Sequence, residues 1–206
     1  MYIHSGFVPF SSSWKTEFVR NSNMIDPQPG YDGRKPGCQM FDNHMNALNF
    51  VLSDGWEINV NTPLDIHRIL TKNIDFFENS NNSGKYRIQD VWIGSEIAPS
   101  SYLIHKLMNE QWFPAVKTLT NLVYENKMSA VESAWIVHHM FQVIHPFIDG
   151  NGRTGRLLFA KILKDLGEDP HIIYYVDRHE YYDCIQYFRD KNWDQHKFIL
   201  EGLWTS

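Results

Sequence analysis

The chain has 206 residues, enough for one domain with a sizeable core or for a domain with a regulatory appendage. Its net charge of −5 argues against a general nucleic-acid binder, which normally carries a basic excess, and 43% hydrophobic residues are typical of a globular protein. No apolar run is long enough to span a membrane, and the N-terminal MYIHSGFVPFSSSW lacks the layout of a signal peptide. We expect a cytoplasmic protein without nucleic-acid or membrane partners, and export into a host cell as an effector stays open.

The first half of the chain predicts two helices and one β element. Residues 27–37 are too rich in glycine and proline for a helix, so the N-terminal stretch is predicted to be irregular. Apolar residues then recur at three- and four-residue spacings over 38–52, which predicts a helix. A second helix is predicted over 62–77, opened by a threonine N-cap and a proline. Residues 86–95, YRIQDVWIGS, are rich in β-formers and predict a strand or hairpin.

Beyond Pro99 the apolar periodicity stays helical almost to the end of the chain. The predicted helices cover about 100–124, 128–144, 151–167, 178–190 and 193–202. The sequence therefore predicts an all-α fold, a helical bundle interrupted by one small β element. We divide it into an N-terminal segment, residues 1–37, and a core domain, residues 38–206.

The segment HPFIDGNGRTGR, residues 145–156, joins two of these helical patterns, and its second half opens the later helix. The N-terminus of a helix presents unpaired backbone N–H groups and partial positive charge, which suits a phosphate. Gly150 and Gly152 let the backbone approach an anion closely, and Asn151 can add a side-chain donor. This part of the segment predicts a phosphate-binding loop.

Charged side chains in the same segment predict what the loop does. Arg153 and Arg156 are three residues apart, so both guanidinium groups project from one helix face toward phosphate oxygens. Asp149 would repel a polyphosphate unless Mg²⁺ lay between them, and Mg²⁺ is commonly held by carboxylates and phosphate oxygens. His145 stands beside the loop, and an imidazole titrates near neutrality, as a general base should. Together they predict phosphoryl or nucleotidyl transfer to a hydroxyl.

These twelve residues resemble the signature of the Fic domain family, His-x-Phe-x-Asp/Glu-Gly-Asn-Gly-Arg-x-x-Arg, with every fixed place filled. Residues 84–99, GKYRIQDVWIGSEIAP, are similar to the family's β-hairpin flap, and residues 177–188, DRHEYYDCIQYF, to its tyrosine-bearing helix. The resemblance covers roughly residues 38–202. It implies a Fic-type helical bundle with a small flap, and transfer of AMP from ATP to a Ser, Thr or Tyr hydroxyl of a target protein.

The resemblance also implies a role for each residue. His145 would deprotonate the target hydroxyl, whose oxygen attacks the α-phosphorus as pyrophosphate leaves. Asp149 would hold Mg²⁺ against the α- and β-phosphates. The residues implied to bind the nucleotide phosphates are Gly150, Asn151, Gly152, Arg153 and Arg156, the last of them at the γ-phosphate. The flap residues implied to pair with the target backbone are Val91, Trp92, Ile93 and Gly94.

Many Fic proteins carry an inhibitory helix whose glutamate pairs with the second signature arginine. In SNMIDPQ, residues 22–28, Ser22 matches that motif, but Asp26 replaces the glutamate and Pro27 the following glycine. Aspartate is one methylene shorter, which weakens the expectation that it spans to Arg156, and proline disfavours helical geometry at the residue before it. Two interpretations stay open: a weakened brake, or a relic with regulation elsewhere, which we favour slightly.

Three functions fit the loop. We favour a protein adenylyltransferase, because a protein that only senses nucleotide has no need of His145. The alternatives are a nucleotide-binding regulatory protein without transfer, and removal of AMP from a modified protein; transfer of UMP is also open, because the motif does not specify the base. A separate inhibitory, antitoxin-like partner and a homodimer stay open as well. His138 lies on an apolar helix face and is interpreted as a packed core histidine rather than a metal ligand.

Overall fold

The computed structural model describes residues 13–27 and 33–192. Its helices are α1 (Trp14–Ile25), α2 (Gln39–Leu52), α3 (Thr62–Thr71), α4 (Asp75–Ser80), α5 (Ile104–Leu107), α6 (Phe113–Tyr124), α7 (Ala130–Ile144), α8 (Asn151–Asp165) and α9 (Arg178–Asn192). A π-helical turn, Met108–Trp112, joins α5 to α6, and 3-10 turns, Ser101–Leu103 and Tyr175–Asp177, precede α5 and α9. The predicted all-α fold with one small β element is confirmed.

The β element is a hairpin of two short antiparallel strands, β1 (Trp92–Ile93) and β2 (Glu96–Ile97). Trp92 lies opposite Ile97, and Ile93 lies opposite Glu96. The hairpin was expected within residues 86–95, and it lies a few residues further along the chain. Residues 86–91 do not form a strand; they run past the loop that follows α7.

Helix α8 is the centre of the bundle, because it packs against α1, α2, α3 and α7. It is buried continuously over residues 153–163, so its polar residues Arg153, Arg156 and Lys161 lie inside the protein. Aromatic and aliphatic side chains from most helices surround it in one main core. A helix held on this many sides gives the segment at its N-terminus a fixed position.

Helix α1 corrects the prediction of an irregular N-terminal stretch. The glycine- and proline-rich residues begin only after α1 ends, and Trp14, Phe18 and Val19 of α1 are buried in the main core. Their spacing of four and five residues is the apolar pattern of a helix. The glycine and proline content of residues 27–37 led to the prediction of an irregular stretch, although that content begins only after the helix. The domain boundary at residue 37 stays a prediction, although α1 packs against helices of the predicted core domain.

The structure divides one predicted helix into two, and another predicted helix lies outside the part that it describes. The helix predicted over 62–77 is divided into α3 and α4, because Asn73 adopts a left-handed backbone conformation with a φ of 56°. The helix predicted over 193–202 lies outside the described residues. Every helix in the described ranges is too short or too polar to serve as a membrane span.

Candidate active site

The segment 145–156 forms a tight connection between α7 and α8, as the sequence predicted. His145 ends α7 in the left-handed region, with a φ of 52°, and its backbone N–H donates to the carbonyl of Phe141. Gly150, with a φ of 79°, is the N-cap of α8; this conformation favours glycine because it has no Cβ. The two left-handed residues turn the chain back on itself and bring the His145 side chain beside the N-terminus of α8.

The orientation of the His145 ring follows from its hydrogen bond. Its Nδ1 lies 3.1 Å from the carbonyl oxygen of Gln142. A carbonyl can only accept, so Nδ1 carries the proton of the neutral ring and Nε2 keeps its lone pair. Burial lowers the pKa of His145, and the bond to Gln142 opposes that shift. The ring is therefore neutral at pH 7, with Nε2 available to accept a proton.

Asn151 holds the loop from within. Its Oδ1 accepts from the backbone N–H of Phe147, and its Nδ2 donates to the carbonyl of the same residue, both at 2.8 Å. The amide thus forms two bonds to its own loop, a role that no local sequence pattern indicates. Its predicted contact with phosphate stays a prediction.

His67 of α3 holds the same loop from outside, and it lies far from the signature in the sequence. The backbone N–H of Gly84 donates to Nδ1 at 3.0 Å, so Nε2 carries the proton and donates to the carbonyl of Asp149 at 3.0 Å. The ring also stacks on Phe147, with 3.9 Å between ring centroids. Burial lowers the pKa of His67 to about 3, so it stays neutral. Its position on the apolar face of α3 predicts only a buried residue.

Arg153 is a buried cation without a hydrogen-bond partner. It is fully buried, and none of its three side-chain nitrogens has such a partner among the described residues. Asp149 Oδ1, which also accepts from the N–H of Gly150, lies 3.7 Å from Arg153 Nη2. Burial lowers the pKa of Arg153, and leaving such a group unsatisfied costs free energy. An anion bound in the loop would satisfy it.

Arg156, in contrast, is fully engaged with α1 and its end. Its Nε donates to Ser22 Oγ at 2.8 Å, and its Nη2 donates to the Ser22 carbonyl at 2.8 Å and to Asp26 Oδ2 at 2.9 Å. Burial alone would lower the pKa of Arg156, but Asp26 and Tyr181 raise it above its ordinary value. Asp26 therefore reaches Arg156 although its side chain is one methylene shorter than that of glutamate.

The backbone explains why aspartate is long enough. Helix α1 ends at Ile25, and Asp26 lies outside it with a φ of −118° and a ψ of 75°, in agreement with the restriction that Pro27 imposes. The carboxylate of Asp26 rests on the first turn of α8, where a Cβ at Gly152 would overlap Asp26 Oδ2. Glycine at this position lets the carboxylate lie between Arg156 and the helix N-terminus.

His138 is a packed core histidine, as predicted, and it also belongs to a hydrogen-bond chain. Its Nδ1 lies 2.9 Å from the carbonyl oxygen of Gly155, so Nδ1 carries the proton. Its Nε2 therefore accepts from the hydroxyl of Tyr181 at 2.9 Å, and that oxygen in turn accepts from Arg156 Nη1 at 3.4 Å. The buried Tyr181 thus fixes one side of the Arg156 guanidinium.

The predicted flap residues lie beside this loop. In β1 and around it, Trp92 is 65% exposed, whereas Val91 and Ile93 are half-buried. The carbonyl of Val91 accepts from the N–H of Ala98 at 2.9 Å and closes the base of the hairpin. Arg87 donates to the carbonyls of His145, Gln89 and Pro99, so His145, the predicted phosphate-binding loop and the hairpin lie in one region of the molecule.

Comparison with known proteins agrees with this arrangement. The sequence model of the Fic/DOC family matches residues 57–163, slightly more than half of the chain. The chain belongs to the Fic/DOC family. The resemblance inferred from the signature is thereby confirmed.

Relatives of this Fic domain include two insect proteins, both called "Protein adenylyltransferase Fic". The protein of Drosophila ananassae is 33% identical over 144 residues, which are 69% of this chain and 27% of that protein. The protein of Aedes aegypti is 36% identical over 125 residues, which are 60% of this chain and 23% of that protein. The chain thus spans about a quarter of the length of these curated relatives.

Two solved structures share the fold. A Fic domain containing signaling protein from Bacteroides thetaiotaomicron has a TM-score of 0.67 and 18% identity, covering 84% of this chain and 71% of that one. Residues 134–508 of Fic-1 from C. elegans have a TM-score of 0.65 and 23% identity, covering 85% of this chain and 56% of that one. At these identities the two structures support the Fic fold of this chain.

The side chains of this Fic domain suit a metal ion that arrives with a nucleotide. In the described ranges, no group of three or more His, Cys, Asp or Glu side chains could hold a metal by itself. Asp149 offers one carboxylate at the loop, and its side chain is 37% exposed. Because Mg²⁺ is often bound by one or two carboxylates plus substrate phosphates, a single accessible carboxylate beside a predicted phosphate-binding loop fits this ion.

Proposed function

We propose that this chain is a protein adenylyltransferase, which transfers AMP from ATP to a Ser, Thr or Tyr hydroxyl of a target protein and releases pyrophosphate. One observation carries the proposal: the free Nε2 lone pair of His145 lies beside a loop whose buried Arg153 has no hydrogen-bond partner among the described residues. A general base next to an unsatisfied anion site is what nucleotidyl transfer to a hydroxyl requires. The names of the insect relatives support AMP as the transferred group.

Each residue of the loop has a defined task in this reaction. His145 Nε2 accepts the proton of the target hydroxyl, and the Gln142 carbonyl keeps the ring oriented. The hydroxyl oxygen forms a bond to the α-phosphorus, the bond from that phosphorus to the bridging oxygen breaks, and pyrophosphate leaves. Arg153 and the backbone N–H groups at the start of α8 stabilise the negative charge on the phosphates. Mg²⁺, held by Asp149 and phosphate oxygens, would neutralise part of that charge.

We further propose that the target segment adds as a strand to the free edge of β1, along Val91–Gly94. Ala98 pairs with Val91, and hydrogen-bonded and non-hydrogen-bonded pairs alternate along antiparallel strands. The N–H and carbonyl of Trp92 therefore point away from β2. Main-chain groups at an open edge are the usual template for strand addition.

Regulation by Asp26 is the third part of the proposal. The carboxylate takes the Nη2 donor of Arg156 that a γ-phosphate would need, and it lies at the N-terminus of α8 where an anion is favoured. Ser22 occupies the remaining donors on that side of Arg156. A productively bound triphosphate must therefore displace Asp26, which makes this residue a brake on transfer.

The test of the function uses the purified chain with Mg²⁺ and ATP labelled on either the α- or the γ-phosphate, and α-labelled UTP. Self-modification and modification of proteins in a lysate are read on gels. Label on protein from α- but not γ-labelled ATP is the expected result. Label from γ-labelled ATP, or from UTP in preference to ATP, would contradict transfer of AMP, and an absence of all label with ATP binding intact would favour a regulatory nucleotide-binding protein.

A further inference from the structure

Arg87 contacts both the loop that carries His145 and the two ends of the hairpin. Its side chain is buried, and its Nε donates to the carbonyl of His145 at 2.8 Å. Its Nη1 donates to the carbonyl of Gln89, before β1, at 3.0 Å, and its Nη2 donates to the carbonyl of Pro99, after β2, at 2.5 Å. A fourth bond joins the backbone N–H of Arg87 to the carbonyl of Pro146 at 2.9 Å.

These contacts depend on the shape of the guanidinium group. Three carbonyl oxygens in different directions receive three different nitrogens, which a planar fork can reach and an ammonium point charge cannot. The nearest carboxylate, Asp90, lies 3.8 Å away, is about half exposed and accepts from the backbone N–H of Ser101. The cation is therefore held mainly by main-chain carbonyls, so its contacts fix backbone positions.

The bond to His145 acts on a strained residue. A non-glycine residue in the left-handed region is strained, and it persists only when its surroundings hold it. The carbonyl of His145 accepts from Arg87, and the ring of His145 donates to Gln142. A rotation of the His145 peptide would break the first bond and turn the ring away from the second.

We propose that Arg87 is a positioning residue that holds the flap at a fixed distance from His145, so that a hydroxyl on a segment paired with β1 meets Nε2. The inference rests on the proposed adenylyl transfer. In it, the guanidinium of Arg87 aligns the target hydroxyl with the base, His145. Arg87 does not contact the reacting atoms. Its effect is on the geometry between the two sites, where a displacement of about 1 Å can cost about 100-fold in rate.

The first test replaces Arg87 with lysine, which keeps the charge and loses the fork. Transfer to a target protein is expected to fall at least about tenfold, chiefly in kcat, while the Kd for ATP stays within about twofold. The control is Arg68→Lys, because Arg68 is exposed and its ion pair is with the neighbouring Asp65; this variant should behave as the wild type. Unchanged transfer by Arg87→Lys would overturn the proposal, as would a parallel loss of ATP binding.

The second test is independent of activity. Asp26 and Asp149 raise the pKa of His145, whereas Arg87 lowers it, so Arg87→Met should raise the titration midpoint of the His145 ring in NMR and Arg87→Lys should not. Both variants should speed amide exchange at Ala98, whose N–H closes the hairpin. If the wild-type chain transfers nothing, the proposed function fails, and these measurements still decide the role of Arg87: an unmoved midpoint in Arg87→Met with unchanged exchange overturns it.

Discussion

At the scale of single residues, we expect the carboxylate of Asp26 to compete with a nucleotide phosphate for Arg156. It lies 2.9 Å from Arg156 Nη2 and against the backbone of Gly152. A charge-assisted hydrogen bond to a buried group contributes about 1.5–3 kcal/mol, which corresponds to roughly 10- to 100-fold in binding. ATP that needs the same guanidinium must overcome this difference. The interpretation of the Asp26 segment as a brake therefore has a stronger physical basis than its interpretation as a relic.

Asp26→Ala is therefore expected to raise the rate of self-modification by about tenfold or more at subsaturating ATP. Asp26→Glu keeps a carboxylate on a side chain of the length found in the family motif, so its rate of self-modification should stay low. Asp54→Ala serves as the matched control, because Asp54 is 95% exposed and lies in the loop after α2. The measurement is the initial rate with α-labelled ATP; an equal rate in Asp26→Ala and wild type would show that the segment is a relic.

At the scale of elements, the hairpin presents its free edge through Trp92. The hydrogen bonds that close the hairpin involve Val91 and Ala98 on one side and the Ile93–Glu96 pair on the other. The Trp92 main chain is free of bonds to β2, and we propose it as the place where a target segment pairs. A proline is tolerated on an edge strand when its missing N–H faces outward, so the donor can be removed there without breaking the hairpin.

Trp92→Pro is expected to lower transfer to a protein target by about tenfold through the loss of one main-chain donor, with ATP affinity unchanged. Trp92→Ala removes the same side chain and keeps the donor, so it should lose less. The measurement is kcat/KM for the target with both variants. Equal losses in the two variants would mean that the exposed indole, and not the strand edge, binds the target.

The elements also show how far sequence reasoning reaches. Strong periodicity predicted α2, α7 and α8 closely, and the signature predicted the loop between α7 and α8 that carries His145, Arg153 and Arg156. Local patterns could not predict the role of Arg87, because two of the carbonyls that it binds are distant in the sequence. The carbonyl of His145 is 58 residues away and that of Pro99 is 12 residues away. The reach of Asp26 to Arg156, across 130 residues, was equally hidden because it depends on where α1 ends.

At the scale of the whole molecule, the fold buries several histidines in neutral form. Burial is the main cause of the lowered pKa of His44, His67, His138, His139 and His145, and it also lowers the pKa of the half-buried His171. The pKa of His67 falls to about 3 and that of His139 to about 4. An unfolded chain binds protons at these histidines near pH 6.5, whereas the folded chain does not, so acid favours unfolding.

The free energy of unfolding should therefore be greatest above pH 6.5 and fall as the pH decreases toward 4. Between pH 6.5 and 5, His67 and His139 should each lower the free energy of unfolding by about 2 kcal/mol. Urea denaturation at a series of pH values measures this slope. His139→Leu should flatten it, because His139 packs against Trp135 and Phe188 outside the site, and the exposed His179→Ala should leave it unchanged. A free energy that is constant from pH 7 to pH 5 would contradict the assignment of buried neutral histidines.

The central claim has two parts. His145 acts as the general base, and the neighbouring anion site binds nucleotide even when the His145 side chain is absent. The most direct measurement compares wild type and His145→Ala for single-turnover transfer of AMP at saturating ATP, together with the Kd for ATP. We expect transfer to fall by about 100-fold or more while the Kd changes by less than about threefold. Transfer at the wild-type rate in His145→Ala would contradict the account.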